Sequence, residues 1–298
     1  METPTRPNLI ACIFFSSTER RLRAGWRLVA QSVVMLMIGL LVAVPTFAIA
    51  FFFDIDNELL LSQVIALISI TLSVFLARRF FDKRSLVSLG LRLDRQALAD
   101  VAAGLVMSFL MIGLLSLLMW SAGWLAPEGF GWRVTANAAP QVMLWLVIFV
   151  IVGWNEELLI RGYYLQNLRD GLNLPWAVLL SSVIFGIAHI LNPNASWMAA
   201  ANIALAGVFF AFAWWRTQSL WLPIGLHIGW NFTLGVVFGF PVSGMPTYRL
   251  AAPTITGPAV WTGGEFGPEA GLVLLPVLLF GALLVYGYTH REKYPFFE

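Results

Sequence analysis

Long apolar runs alternate with short polar connections along this chain, and their length decides what they can be. A membrane-spanning helix needs about 17 to 25 predominantly apolar residues. Eight stretches come close to or reach that length, at 27–53, 59–77, 97–125, 141–168, 175–191, 197–215, 220–240 and 269–288. The pattern predicts an all-α fold, a polytopic membrane bundle of about eight transmembrane helices. The fifth run is short, and the fourth is apolar only if its charged residues face protein or water. Residues 1–24 read as a basic cytoplasmic arm, with Phe14-Phe15 ahead of Arg20-Arg21-Leu22-Arg23, and 25–298 as a single transmembrane domain. The connection 78–96 reads as a basic amphipathic element lying on the inner leaflet. The connection 241–268, rich in Gly, Pro and Thr, reads as an irregular external cap with Trp261 as an interface anchor.

Composition strengthens this picture. Of 298 residues, 59% are hydrophobic and 11% charged, against about 25% charged in soluble proteins. The lipid bilayer is the first partner. A net charge of +2, spread over many short loops, gives no basic stripe for nucleic acid. With the N-terminus placed in the cytoplasm, 16 of the 18 Lys and Arg fall on inside segments. That asymmetry predicts both termini cytoplasmic, and the compact chain with short loops suits a bacterial cytoplasmic membrane. Cys12 is the single cysteine, so disulfides and cysteine metal sites are excluded. Leu9-Ile10-Ala11-Cys12 resembles a lipid-attachment box, but the polar residues before it, with Pro4 and Pro7, leave no apolar signal core.

The costliest stretch is Glu156-Glu157-Leu158-Leu159-Ile160-Arg161, inside the hydrophobic segment from Gln141 to Leu168. Each charge near a bilayer centre costs about 2.5 to 3.5 kcal/mol on insertion scales. Glu157 and Arg161 stand at i and i+4, one turn apart, in the order that suits an intrahelical ion pair. Glu156 is turned about 100° from its neighbour and is left free for another use.

Two of the three histidines also lie in apolar runs. Phe185-x-x-x-His189 ends the fifth and His227-x-x-x-Asn231 lies in the seventh, while His290 follows the last span beside Arg291 and Lys293. Ionisable groups on three separate spans converge most economically on one cavity. A carboxylate, two imidazoles and an amide supply a general base, a second proton-handling or metal-binding group, and donors for an oxyanion. Hydrolysis by an activated water suits that set. Ser181 and Ser182 show no nucleophile elbow and the zinc signature H-E-x-x-H is absent. A metal would have to be assembled from His189, His227 and Glu156 on different helices; no cofactor is required, and zinc is the candidate if one binds.

In order and spacing, Glu156-Glu157-x-x-x-Arg161, Phe185-x-x-x-His189 and His227-x-x-x-Asn231 resemble the three motifs of the CAAX protease and bacteriocin-processing family, which includes the type II CAAX prenyl endopeptidases. Arg216-Thr217-Gln218-Ser219-Leu220-Trp221-Leu222-Pro223 resembles that family's lead-in to the third motif. Ile160 stands where many members carry Phe. The resemblance covers a core of about residues 85–240. It implies an intramembrane endopeptidase acting on a peptide or membrane-anchored protein, with a prenylated CAAX-like tail as one family substrate. Glu156 and His189 would activate the water, His227 and Asn231 would stabilise the oxyanion, and Glu157 and Arg161 would support the site. Both metal-dependent and glutamate-dependent mechanisms have been ascribed to the family, and the residues can be fully assigned without a metal.

Two other readings use the same residues. A bacteriocin-immunity or scaffold protein would keep the motifs for binding, and a proton-coupled transporter would use Glu and His as a relay. One feature resists any shared cavity. With straight spans, His189 lies about 21 Å and His227 about 10 Å from the inner face.

Overall fold

The computed structural model describes residues 13–16, 21–127 and 138–290. The attachment box at Cys12, most of the basic arm, Arg133 and the Arg291/Lys293 end lie outside them. Every predicted apolar run contains a helix. In chain order these are α1 (Ala24–Phe52), α2 (Glu58–Phe80), α3 (Arg95–Ser121), α4 (Ala138–Glu157), α5 (Leu165–Gly171), α6 (Leu174–Ala188), α7 (Trp197–Thr217), α8 (Trp221–Asn231), the short α9 (Ala259–Thr262) and α10 (Leu274–Thr289). A π-helical stretch, Leu158–Tyr164, joins α4 to α5, and a second, Phe232–Val237, extends α8. α1, α2, α3, α7 and the continuous α4–α5 rod are long and apolar enough to cross a membrane, while α6 and α10 are shorter apolar helices. The protein is a polytopic helical membrane protein.

Polar caps fix where several helices start. The side chains of Asn57, Asp94, Asn173 and Ser196 accept the backbone N–H of Leu60, Ala97, Trp176 and Ala199, each satisfying one of the donors a helix leaves open. α1 is the most peripheral element. Its Leu40, Leu41 and Val44 are 73–74% exposed, a surface that only lipid can cover.

α3 and α8 form the closest pair. A Cβ on Gly225 would stand 2.5 Å from the carbonyl oxygen of Val101, and one on Gly104 would overlap Leu226 N. At this separation Ser108 Oγ reaches the Leu226 carbonyl, at 2.7 Å. Lipid offers no hydrophobic drive for helix association, so small residues that admit close backbone packing take its place.

Three expected boundaries shift. The third run ends at Ser121, because Leu125–Pro127 pairs antiparallel with Pro253–Ile255. The last helix starts at Leu274, because Pro268–Ala270 form a 3₁₀ turn that buries Glu269. The connection 78–96 does not simply lie on the leaflet. Val87 and Leu93 are exposed, but Leu89, Arg78 and Asp82 are buried. Asp82 accepts from Arg27 (3.1 Å), Arg78 (2.9 Å), Tyr163 and Asn167 (both 3.4 Å). Arg78 also donates to Gln166, whose amide reaches the Leu89 carbonyl. Asp170 completes the cluster with Arg21, Arg27 and Arg84. The segment 241–268 does form an irregular cap, and Trp261 packs beside Trp124 with ring centroids 5.9 Å apart.

Enlarging the α3–α8 contact tests this packing. Gly225→Ala and Gly104→Ala are each expected to cost about 1–3 kcal/mol by overpacking, read as a lower unfolding temperature in detergent. Gly113→Ala on the same helix α3, with nothing within 4 Å of the added Cβ, is expected to leave that temperature unchanged.

Candidate active site

The charged motif sits at the end of α4, where the helix passes into its π-helical stretch. π-turns recur at functional sites because the extra residue re-aims the side chains around it. Glu157 and Arg161 are fully buried and paired at 2.7 Å, as their spacing predicts. The second guanidinium nitrogen donates to the Gly207 carbonyl at 3.1 Å. The guanidinium carbon lies 4.5 Å from the Phe185 ring centroid and 5.0 Å from that of Phe210, so aromatic faces replace water around the cation.

Glu157 also holds a histidine. Its Oε1 lies 2.8 Å from His227 Nδ1. A carboxylate paired with Arg161 is an acceptor, so Nδ1 carries the proton. Phe210 stacks on the imidazole at 5.1 Å and 12°, and the ring is locked in plane and in rotation. His189 is oriented by different means. It caps the C-terminus of α6, and its Nδ1 lies 2.8 Å from the Phe185 carbonyl. A carbonyl can only accept, so here too Nδ1 is the protonated nitrogen.

Both Nε2 atoms therefore turn to the same carboxylate. Glu156 Oε2 lies 3.5 Å from His227 Nε2 and 4.0 Å from His189 Nε2. These are ion-pair distances and not hydrogen bonds, and Glu156 Oε2 is buried without a hydrogen-bond donor in the protein. Glu156 points away from the Glu157–Arg161 pair into a cavity of about 290 Å³ that His189, His227 and Asn231 also line. Phe149, Phe209 and Trp230 supply much of its apolar wall.

The two histidines meet at one carboxylate although they stand at different distances along their helices: α6 begins at an exposed Asn173, and α8 begins beside the fully buried Leu220, whose N–H is held by the Gly90 carbonyl at 2.9 Å.

Sequence reasoning missed the roof of the cavity. Glu269 is buried, accepts from Trp230 Nε1 at 2.9 Å and from Ser243 N and Oγ, and pins the loop after α8 over the site. Asn192 adds a hydrogen bond to the Ser243 carbonyl at 3.0 Å. The available signal was a carboxylate, Glu269, at the edge of the last apolar run. Among the described residues, no group of three or more His, Cys, Asp or Glu has the spacing that would hold a metal ion.

Residues 138–233 match the family described as Type II CAAX prenyl endopeptidase Rce1-like. This segment is similar to that family. It contains all seven residues of the three motifs, so the resemblance drawn from the motifs holds across the helices that carry them. An Escherichia coli chain named "Uncharacterized 24.3 kDa protein" is 33% identical over 121 residues, which are 39% of this chain and 54% of that one. The Bacillus subtilis (strain 168) "Putative membrane peptidase YdiL" is 35% identical over 91 residues, 30% of this chain and 35% of that one. The matches thus span about half and about a third of these relatives' lengths. No solved structure matches the chain.

The buried pair has a clear mutational signature. Arg161→Met strands Glu157 without a counter-charge and is expected to cost about 3–5 kcal/mol. Adding Glu157→Gln to that variant is expected to recover much of the loss. Denaturant titration in micelles measures both, and a double variant no more stable than Arg161→Met would refute the pairing as the source of the cost.

Proposed function

We propose that the protein is an intramembrane endopeptidase that hydrolyses a peptide bond of a membrane-associated polypeptide with a water activated by Glu156 and His189. One observation carries this reading. Both imidazoles have their Nδ1 committed, one to a carboxylate and one to a backbone carbonyl, and both turn Nε2 toward Glu156 in a cavity with largely apolar walls.

The tautomers then divide the roles. Neutral His189 presents a lone pair at Nε2, and Glu156 presents a carboxylate oxygen. The two hydrogens of one water fit these two acceptors. As the water oxygen attacks the scissile carbonyl, Glu156 takes one proton, and the carbonyl oxygen becomes the oxyanion of a tetrahedral intermediate. His227 enters the cycle as the imidazolium, its second proton taken from solvent before substrate binds and kept throughout; Nδ1–H is given to Glu157 and Nε2–H to the oxyanion. The Asn231 side chain, one helical turn on, offers the second donor to the oxyanion. When the C–N bond breaks, the proton held by Glu156 passes to the leaving amine. Glu157 and Arg161 touch no reacting atom; they fix His227 and compensate one another. No step in this scheme passes through a metal.

Purified wild type and Glu156→Gln, reconstituted in liposomes, would be offered lipidated and unlipidated peptides with and without chelator. Loss of the base is expected to lower kcat by about 10²–10⁴, with wild-type cleavage insensitive to chelator. Equal cleavage by both proteins would refute the role of Glu156. Loss with chelator and rescue by zinc would reassign Glu156, His189 and His227 as ligands. Solute flux without cleavage products would favour transport instead.

A further inference from the structure

The cavity beside Glu156 holds a second carboxylate that the hydrolytic scheme does not use. Glu269 lines the cavity from its roof and is 8% exposed. Its Oε1 accepts from Trp230 Nε1, and its Oε2 accepts from Ser243 N and Oγ. A carboxylate has about four acceptor positions, so one on Oε1 stays open.

The charges around the site balance without it. Arg161 faces Glu157 at 2.7 Å, and the His227 imidazolium of the hydrolytic scheme faces Glu156 at 3.5 Å. Glu269 is the carboxylate left over. Its three donors are neutral groups, no Lys or Arg lines the cavity, and among the described residues no cation is paired with it.

Pinning the roof does not explain the charge. Trp230 Nε1 and Ser243 N need only acceptors, and a side-chain amide or a backbone carbonyl also accepts from an N–H. A buried charge without a counter-ion is costly, and a cationic group entering the cavity offsets that cost. The position of Glu269 suits such a group. Trp230, which holds its Oε1, directly precedes Asn231 and follows His227 by three residues, about 4.5 Å along the helix axis. The open oxygen is thus held from the same stretch of α8 that carries the oxyanion donors. At about 290 Å³ the cavity lies at the small end of ligand sites, which run from about 300 to 1,000 Å³, so it takes in only a few residues of a peptide.

We propose that Glu269 is a specificity-determining residue that receives a lysine or arginine side chain of the substrate, carried close to the scissile bond. The ammonium or guanidinium donates to the open position of Oε1, and the largely apolar walls suit the methylene stem of such a side chain. This rests on the endopeptidase reading and adds a sequence requirement to it. Glu269 touches no reacting atom; it selects which peptide bond is brought to Glu156.

Peptides of one apolar host sequence, each with a single arginine at a different position, would be compared with twins that carry the isosteric, uncharged citrulline there. At one position the reconstituted wild type is expected to cleave the arginine peptide with a kcat/KM about 10- to 100-fold higher, the range for a hydrogen bond between charged groups. Glu269→Gln is expected to bring that ratio close to one. Trp230→Phe removes a donor from the roof but leaves the charge, and is expected to keep the preference. Binding reads the same subsite without chemistry. Glu156→Gln, in which Glu269 is the only carboxylate lining the cavity, is expected to bind the arginine peptide tighter than its twin by the same factor, measured by fluorescence anisotropy. Equal binding of the twins at every position, or an arginine preference that survives in Glu269→Gln, would overturn the proposal. Tighter arginine binding by a protein that cleaves nothing would instead refute the endopeptidase reading and leave the cation subsite standing.

Discussion

A single carboxylate oxygen, Glu157 Oε1, organises the centre of this protein. It accepts from Arg161 at 2.7 Å and from His227 at 2.8 Å, and so joins the α4–α5 rod to α8 where all three side chains are buried. A charge there is tolerable only when paired and hydrogen-bonded. The surroundings follow from that demand. The Gly207 carbonyl accepts from the guanidinium, and Phe185 and Phe210 close over both partners. The π-helical stretch after Glu157 shifts the register by which these groups meet. The orientation of His227 is then a consequence of electrostatic necessity, because the group that neutralises Arg161 also sets the tautomer of the imidazole.

Some of this was legible in the sequence, for a physical reason. The i, i+4 spacing of Glu157 and Arg161, and of Phe185 and His189, fixes which side chains share a helix face whatever the tertiary structure does. The rotation of Glu156 away from its neighbour likewise depends only on helical pitch. The location of the apolar runs reflects bilayer thickness, so every run contains a helix.

Depth was not legible. Whether His189 and His227 stand level depends on where α6 and α8 begin, and α8 begins where Gly90 holds Leu220 inside the bundle. That contact joins residues 130 positions apart, and no local pattern encodes it. The fate of individual charges was equally hidden. Arg27, Arg78 and Asp82 look like ordinary topology charges next to apolar runs, yet all three are buried in one cluster with Tyr163 and Asn167. Glu269 reads as the edge of a helix and is the pin of the roof. In each case the missing information is the partner, which lies on a distant segment.

The two buried polar clusters solve opposite problems with the same chemistry. Around Asp82, both carboxylate oxygens accept from donors on α1, α2, the π-helical stretch and α5, and the result is a dense seal. Around Glu156, the helix geometry withholds donors. The neighbouring imidazoles stop at 3.5 and 4.0 Å, and Oε2 has no hydrogen-bond donor. An unsatisfied buried carboxylate oxygen is costly, so it persists only where the surrounding structure over-determines it. Here the determination is complete on every side. Glu157 and Phe210 fix one imidazole, the Phe185 carbonyl fixes the other, and the α4 backbone fixes the carboxylate. Glu157 Oε2 is likewise buried without a donor, but its neighbour Oε1 is held by Arg161 and His227, whereas Glu156 Oε2 faces the cavity.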